Sequence, residues 1–234
     1  MTDHRTGCLL CGAQLMYHYS AQPAACVYCR QSHQTTTACA NGHFICDSCH
    51  SLGGLDLIGQ YCIATVEPSP LAQAIHLMKS PSVKMHGPEH HFLVPAVIIS
   101  AYCNTTPGLI DKREMIAMAR QRAADVKGGF CGFHGTCGAA MGAGIACSVI
   151  TGATPLSGDA WQLANMMTAV CLTAIATAGG PRCCKRDAFL AIRKSVEFLN
   201  DNLHANLPVE PAPVCGFSHL NRECIGDRCC FFKR

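Results

Sequence analysis

Nineteen cysteines in a chain of 234 residues, most of them in short-spaced clusters, constrain this fold more than any other feature. Such clusters serve either as disulfide partners or as soft metal ligands, and the two uses belong to different compartments. Pairs separated by two residues can present two thiolates to one ion, and 49% of the residues are hydrophobic, unlike in a small disulfide scaffold. The first residues also contain no apolar signal-peptide core. We therefore predict a metalloprotein of the reducing cytoplasm.

The net charge and the hydropathy of the sequence argue against binding to nucleic acid and against membrane-spanning helices. The formal net charge is +3, no run of Lys or Arg exceeds two residues and 6% of the residues are aromatic, so the usual footprint of nucleic-acid binding is missing. The mean hydropathy is +0.18, and the longest apolar stretches span 92–103 and 163–178. Neither supplies the roughly 20 strongly apolar residues of a membrane-spanning helix, because Pro95 interrupts one and Asn165 lies in the other. Both are predicted to be buried helices of a soluble core.

The chain is predicted to be mainly α, with about five or six core helices, a zinc-ribbon-like module before them and a Cys-rich tail after them. Residues 1–50 are polar and lack helical periodicity, which is typical of a module built around metal. Capping residues and apolar spacing predict helices at about 70–79, 88–103, 112–126, 136–151, 159–178 and 181–203. The predicted divisions are a metal-binding module at 1–50, a connector with a short helix at 51–83, a helical core at 84–204 and a Pro/Cys-rich tail at 205–234. Within the helical core, no segment predicts a convincing strand.

The N-terminal module contains enough ligands for two closed structural metal sites. Two Cys-x2-Cys knuckles, separated by 14 residues, together offer the four thiolates that tetrahedral zinc prefers: Cys8, Cys11, Cys26 and Cys29. A second set follows directly: Cys39, His43, Cys46 and Cys49, with His50 in reserve. The ligands can also alternate between two sites, as in cross-braced zinc modules, and the spacing does not distinguish these pairings. Rubredoxin-type iron uses the same thiolates, so zinc is the first expectation and iron the second.

A dense group of ionisable residues precedes the first apolar helix, in the sequence Lys-Met-His-Gly-Pro-Glu-His-His at 84–91. Such groups are costly to bury without partners, which favours a functional pocket over a solvated helix start. Imidazole and carboxylate groups transfer protons near neutral pH. The candidates for this role are His86, Glu89, His90 and, further along the chain, His134.

Four cysteines lie beside glycine and basic residues at predicted helix starts. Cys137 begins a Gly/Ala-rich helix, whereas Cys183 and Cys184 follow Gly-Gly-Pro-Arg and precede Lys-Arg. Helix N-termini favour thiolates and anionic clusters, so these cysteines and Cys131 are predicted to form an iron–sulfur site. Because adjacent cysteines rarely bind one metal, one of the doubled pair is expected to bind and the other to stay free. The alternative is a bundle in which cysteines act as small hydrophobes, as we expect for Cys62, Cys103, Cys147 and Cys171.

Two of these segments resemble a known helical domain. The runs Gly-x-Cys-Gly-Ala-Ala-x-Gly-x-Gly-Ile-Ala from Gly135 and Pro-Arg-Cys-Cys-Lys-Arg-Asp from Pro181 are similar to the iron–sulfur serine dehydratases and cysteine desulfidases. The resemblance implies that Cys137 and Cys183 bind a [4Fe-4S] cluster with an open iron. It also implies elimination, desulfuration or sulfur transfer on a small substrate. The doubled cysteine and Asp187, where that family has Asn, depart from the pattern.

A second resemblance covers nearly the whole chain. The phrase Lys-Met-His-Gly-Pro-Glu-His-His, the run from Gly128 to Ala140 and the Gly-Gly-Pro-Arg-Cys-Cys segment resemble an uncharacterised Cys-rich family of anaerobic prokaryotes. That family sometimes occurs beside methyltransferase or radical-SAM domains. It implies an alternative function as a zinc-stapled carrier or thiol-redox partner of such an enzyme, with Cys183 and Cys184 as an exchangeable thiol pair. The chain also resembles, more loosely, redox-associated cysteine proteins through Cys131, the Cys137–Gly142 run and the pair Cys183–Cys184.

The tail carries a further set of candidate metal ligands after a Pro-rich linker: Cys215, Cys224, Cys229 and Cys230. These thiols are expected to form a metal site alone or to reach the core site, and a redox-sensitive dithiol is the alternative. The pair Phe231–Phe232 predicts that the tail docks onto the body, since terminal segments stay ordered only when something ties them down. A homo-oligomer is compatible with all of these expectations.

Overall fold

The computed structural model describes residues 8, 10–46, 49, 53–106 and 111–233, and within them a small β-hairpin module precedes a helical body. The mainly α prediction is confirmed for this part of the chain. The reserve ligand His50 lies outside the described residues.

The N-terminal module contains a β-hairpin that the sequence did not predict. Strand β1 (Leu15–Ala25) pairs antiparallel with β2 (Ser32–Cys39), in a register that joins Leu15 to Cys39 and Ala25 to Ser32. The register shifts between Tyr17 and Gln22. Most of the hairpin is exposed, so neither strand has the alternating apolar face by which strands are recognised. The expectation of a core without strands concerns the helical body, where the described residues form none.

Eight helices make up the body among the described residues. They are α1 (Gly54–Ala64), α2 (Pro70–Met78), α3 (Glu89–Thr105), α4 (Lys112–Ala124), the single turn α5 (Phe130–Phe133), α6 (Gly138–Thr151), α7 (Asp159–Ala178) and α8 (Cys184–Leu203). Two short 3₁₀ turns, Ser218–Leu220 and Gly226–Arg228, shape the tail. The predicted helices from 70 onward are confirmed to within about three residues at most ends.

Helix α1 lies in the segment that was predicted to be a connector. Its Leu57, Ile58 and Cys62 are fully buried, and it packs against α3 and α4. It begins after Gly53 with no side-chain cap, so the usual start signal is missing. By contrast, the hydroxyl of Ser69 accepts a hydrogen bond from the Ala72 N–H before Pro70, which explains why the start of α2 could be predicted.

Helix α3 forms the centre of the body and packs against five other helices, α1, α2, α4, α6 and α8. It is buried from Phe92 to Ala101, and α6 crosses it at very close range. Gly142 makes this approach possible, because a Cβ there would lie 2.8 Å from Pro95 Cδ and 2.9 Å from the carbonyl oxygen of His91. The glycines of α6 are thus explained by close packing of helices.

Replacing Gly142 with alanine is expected to destabilise the body by about 1–3 kcal/mol, because the added methyl has no room between α3 and α6. In an open helix the same change stabilises by about 1 kcal/mol. Urea unfolding measures the difference. Gly128→Ala, at an exposed position with nothing within 4 Å of its Cβ, is the control and should change stability by less than about 0.5 kcal/mol. An unchanged midpoint for Gly142→Ala would contradict the close approach.

Helix α7 is far more exposed than predicted. Only Met167, Cys171 and Ile175 are buried, and Trp161 is 52% exposed. The prediction of a buried core helix for 163–178 is therefore wrong. Among the described residues, α7 is the one helix whose length and composition would allow it to cross a membrane. Of its apolar stretch of 18 residues, 17% is buried inside the structure. A single helix of this kind is weak evidence for a membrane span.

Candidate metal and thiol sites

The N-terminal ligands form two groups in which every ligand atom lies within 4.8 Å of the others. One group is Cys8, Cys11, Cys39 and His43, and the other is Cys26, Cys29, Cys46 and Cys49. The sulfurs of Cys11 and Cys39 are 3.5 Å apart, and those of Cys29 and Cys46 are 3.9 Å apart. A tetrahedral zinc with bonds of about 2.3 Å holds its sulfurs about 3.8 Å apart. Both groups therefore have the donors and spacing to bind a metal such as zinc.

The ligands alternate along the chain, so the arrangement is the cross-braced one. The hairpin explains this pairing: β1 leads away from the knuckle at Cys8 and Cys11, and β2 returns. The pairing of Leu15 with Cys39 then brings Cys39 and His43 beside the first knuckle. The simpler expectation, one site from the first four ligands and another from the next four, is not what the described residues form.

Two similar backbone turns position sulfurs of the first group. The N–H of Gly12 donates to the carbonyl of Cys8 at 2.7 Å, and the N–H of Gly42 donates to that of Cys39 at 2.8 Å. Both glycines have positive φ, of 72° and 79°, which is the conformation that glycine adopts most easily. Backbone N–H groups also point at the sulfurs, and the one of Ala13 lowers the pKa of Cys11 to about 6. Such turns favour thiolate ligands.

The module contacts the helical body through aromatic rings. Tyr28, 1% exposed, lies edge-on to Tyr61 of α1 and to His76 of α2, with ring centroids 6.4 and 5.4 Å away. Burial, together with the charge of Arg30, lowers the pKa of His76 to about 4, so its ring is neutral at pH 7. The metal module is thus seated on α1 and α2 by an uncharged aromatic contact.

The doubled cysteines at the start of α8 face two different cavities. Cys183 lines a narrow cavity under the C-terminal tail, whereas Cys184 lines a cavity that also contains Cys131 and Cys137. The expectation that one of the two binds a metal and the other stays free is still a prediction, now with a different cavity for each. The predicted set of four is divided, because Cys183 is separated from the other three.

The cavity shared by Cys131, Cys137 and Cys184, here called the three-cysteine pocket, lies between the starts of α6 and α8. Cys137 is the N-cap residue of α6, and its sulfur is 4.0 Å from Oδ2 of Asp187. An adjoining open pocket of about 480 Å³ shares Cys131 and Cys137 with it. The other main lining residues of the open pocket are Leu172, Ile175, Gly179, Arg182, Arg186 and Asp187.

Burial favours the protonated thiols of Cys137 and Cys184 in the three-cysteine pocket. It raises the pKa of Cys137 to about 12, assisted by Asp187 and opposed by the backbone N–H groups of Ala139 and Ala140. Burial also raises the pKa of Cys184. Without a bound cation these thiols are neutral, so the helix starts alone do not produce the thiolates that were expected there. A bound metal would supply the missing positive charge.

Two histidines reach the three-cysteine pocket, and only one of them was predicted. His90 is 1% exposed; its Nδ1 is 3.2 Å from the Gly87 carbonyl and its Nε2 has no partner in the described chain. Burial lowers the pKa of His90 to about 3, so it is neutral. His91 was missed: its Nδ1 donates to the Val126 carbonyl at 2.8 Å, and Gly138 leaves space for its ring. The absence of a side chain at Gly138 was the available signal.

The remaining predicted proton-transfer residues lie elsewhere and are not among the residues lining the two pockets around Cys137. His86 Nε2 is 3.0 Å from Asn221 Oδ1 and 3.2 Å from Glu223 Oε2, so it holds the tail. Glu89 accepts a hydrogen bond from the Lys84 N–H at 2.8 Å. His134 is exposed and its ring packs on Phe130, with centroids 4.6 Å apart.

Three of the four tail cysteines meet Cys183 in one cavity, here called the tail cavity. Its cysteines are Cys183, Cys215, Cys224 and Cys229. The fourth predicted ligand, Cys230, is exposed and is not among the lining residues. Phe217 and Phe231 pack on Phe189 of α8, which confirms that the tail docks onto the body.

These features define a cysteine-rich, mainly helical protein with an N-terminal module that has two groups of residues able to bind metal. The chain belongs to DUF5714, a family of unknown function, whose model matches residues 58–232. The matched range starts inside α1 and includes the rest of the body and nearly all of the tail, so all three cavities described above belong to the family region. No curated protein and no solved structure matches this chain. The predicted likeness to an uncharacterised family is confirmed.

Proposed function

We propose that this protein is an iron–sulfur enzyme that carries out elimination, desulfuration or sulfur transfer on a small anionic substrate. The observation that carries the proposal is the meeting of Cys131, Cys137 and Cys184 at the end of an open pocket of about 480 Å³. Three cysteines can hold a [4Fe-4S] cluster and leave one iron without a protein ligand. Such an iron would act as a Lewis acid on the hydroxyl or thiol group that leaves.

The open pocket suits a carboxylate. Arg182 and Arg186 both line it, and guanidinium groups bind carboxylates in a bidentate manner. Arg186 is already engaged, because it donates to Asp187 at 3.0 Å and to the Gly179 carbonyl at 2.7 Å. Arg182 is exposed and makes no hydrogen bond within the described part of the chain. Arg182 is therefore the residue that we assign to the substrate carboxylate.

His91 is the base that the geometry favours. Its Nδ1–H is fixed on the Val126 carbonyl, which leaves the lone pair on Nε2, next to Gly138 and the three-cysteine pocket. In an elimination, Nε2 takes the proton beside the substrate carboxylate, a carbon–carbon double bond forms, and hydroxide or hydrosulfide departs. No oxidant or reductant is consumed. His90, with a pKa of about 3, is too weak a base for this role.

Anaerobic purification followed by iron and sulfide analysis tests the cluster. Cys137→Ser and Cys184→Ser are each expected to lower the iron content by about four atoms per chain, together with an equal amount of sulfide. Cys230→Ser, at an exposed position outside both cavities, is the matched control and should keep the full content. A wild-type protein with zinc but no sulfide, or a Cys184→Ser variant with undiminished iron, would overturn the proposal.

Turnover tests the roles of the side chains. With L-serine or L-cysteine as probes, His91→Gln is expected to lower kcat by about 10²–10⁴-fold and to keep the iron content. Arg182→Gln should mainly raise KM, because it removes a contact to a carboxylate that is bound throughout the reaction. Release of pyruvate with ammonia, and of sulfide from cysteine, is the measured quantity. Equal kcat values for wild type and His91→Gln would remove His91 from the mechanism.

The alternative expectation, a carrier with Cys183 and Cys184 as an exchangeable thiol pair, has less support. Their sulfurs face different cavities, and burial raises the pKa of Cys183 to about 11, so neither the geometry nor the ionisation favours exchange between them. Expected partners such as a methyltransferase or radical-SAM enzyme stay part of that alternative. All nineteen cysteines are unpaired, which supports our proposal of a reducing, cytoplasmic location.

A further inference from the structure

The tail cavity gathers four cysteines that the proposed reaction does not use. Cys183 belongs to the body, where it is the N-cap residue of α8. The other three, Cys215, Cys224 and Cys229, come from the tail, which folds back across the start of that helix. Cys215 is fixed there by its N–H, which donates to the Phe231 carbonyl at 2.6 Å. The cavity therefore exists only because the tail is docked.

The spacing of these sulfurs differs from that of the N-terminal groups. Among the described residues, three or more ligand atoms lie within 4.8 Å of one another only in the two N-terminal groups, so the tail set is wider. A single tetrahedral ion requires the shorter spacing of about 3.8 Å. A cluster holds its four thiolates farther apart, because irons and inorganic sulfides lie between them. The wider arrangement therefore favours a cluster over zinc.

Hydrogen-bond donors point at the sulfurs of the tail cavity. The N–H of Phe217 lies 3.4 Å from Cys215 Sγ, and Nδ2 of Asn221 lies 3.6 Å from Cys183 Sγ. Such donors stabilise thiolates and tune the potential of bound clusters. The walls are otherwise mainly apolar, as at Phe189 and Phe217, although Glu223 also lines the cavity and lies 3.2 Å from His86. Dry walls with N–H donors at the sulfurs are the surroundings in which clusters are held.

Two buried cations lie beside the tail cavity, and one of them, Arg186, is already paired with Asp187 at 3.0 Å. Lys185, 2% exposed, donates to the carbonyls of Met78 and Val83 at 3.2 and 3.4 Å, and its Nζ lies 4.5 Å from the ring centroid of Phe217. It forms no ion pair within the described chain, although the charge of Glu89 acts on it. Arg186, 4% exposed, lines both the tail cavity and the open pocket. Buried cations of this kind favour an anionic centre nearby.

We infer that Cys183, Cys215, Cys224 and Cys229 bind a second iron–sulfur cluster, separate from the one in the proposed function and independent of it. With four protein ligands, this cluster has no open iron, so its role is to transfer electrons or to tie down the tail. Cys183 and Cys184 are neighbours in the chain, with Cα atoms about 3.8 Å apart. The two clusters would therefore lie on opposite sides of the first turn of α8.

Substituting Cys183 and Cys184 one at a time distinguishes the two proposed cluster sites. Iron and sulfide are measured for anaerobically purified wild type, Cys183→Ser, Cys184→Ser and the double variant. Cys183→Ser is expected to lose two to four irons, Cys184→Ser about four, and the double variant the sum of both losses. If only the second cluster exists, Cys184→Ser keeps all its iron, and if only the proposed active-site cluster exists, Cys183→Ser keeps all its iron. Undiminished iron in Cys183→Ser overturns this inference, and so does a loss of zinc alone.

A substitution in the tail tests the same cluster without changing the body, in case Cys183→Ser fails to fold. Cys224→Ser changes a half-buried tail residue outside the helices and should cause the same iron loss as Cys183→Ser, with an unchanged helical circular dichroism spectrum. Its matched control, Cys230→Ser, lies six residues further along the tail and should lose none. Full iron in Cys224→Ser would contradict the inference even if Cys183→Ser failed to fold.

Discussion

Simultaneous replacement of Cys11 and Cys39 by serine is expected to release one zinc ion per chain. Both residues belong to the same group, with sulfurs 3.5 Å apart, so the second group keeps all four of its ligands. Under the consecutive pairing, the same double variant would damage both sites and release two ions. Native mass spectrometry of the intact protein counts the bound metal. Release of both ions would contradict the cross-braced arrangement.

The matched control takes one ligand from each group with the same number of substitutions. Cys11→Ser combined with Cys26→Ser is expected to release both ions and to unfold the N-terminal module. The effect is large, because a structural zinc contributes about 10–16 kcal/mol to the folding of a small domain. The helices should persist, since the body has its own buried core around α3. Retention of one ion by this variant would support the consecutive pairing instead.

The identity of the module ligands could be predicted from sequence, but their pairing could not. Residue types and two-residue spacings are local properties, and they indicated eight ligands that the structure places in two groups. Pairing depends on the register of β1 and β2, which joins Leu15 to Cys39 across the hairpin. β1 is exposed along most of its length and β2 consists mainly of polar residues, so no buried apolar face records the register in the sequence.

Helices with caps and a clear apolar spacing could be predicted, whereas burial could not be predicted from hydropathy alone. α7 is apolar on most of its surface, and this pattern is typical of a buried helix. In the structure it packs along one side of the body, against α6 and α8, and leaves Trp161 exposed. The opposite error was made for α1, which was predicted to be part of a connector. Two glycines at its start disfavour a helix, yet Ile58 and Cys62 of this helix are fully buried.

The sequence alone could not show that Cys183 and Cys184 line different cavities, and the reason is physical. Cys183 precedes the first helical residue and has extended backbone, with φ of −143°, whereas Cys184 begins α8. Their side chains therefore leave the backbone in different directions, which the sequence alone does not reveal. The partners of Cys183 are more than thirty residues further along the chain, and only the docking of Phe231 on Phe189 brings them together.

Replacing Phe231 with alanine is expected to release the tail from the body. The ring is 2% exposed and lies edge-on to Phe189, with centroids 5.6 Å apart. Truncation of a buried phenylalanine costs about 3–5 kcal/mol. Local opening should therefore become more than about 100-fold more frequent, since about 1.4 kcal/mol corresponds to a factor of ten. Hydrogen exchange at the Cys215 amide, which donates to the Phe231 carbonyl, reports this opening.

The same variant links tail docking to the second cluster. A cluster bound by Cys183 and three tail cysteines binds only the docked tail, so it must stabilise docking by mass action. Phe231→Ala should therefore lose Cys215 protection strongly in iron-free protein and much less in iron-loaded protein. Val214→Ala, at a tail position that is 67% exposed, is the control and should behave as wild type in both forms. Equal protection of Phe231→Ala with and without iron would mean that aromatic packing alone holds the tail and that Cys183 does not join a cluster with it.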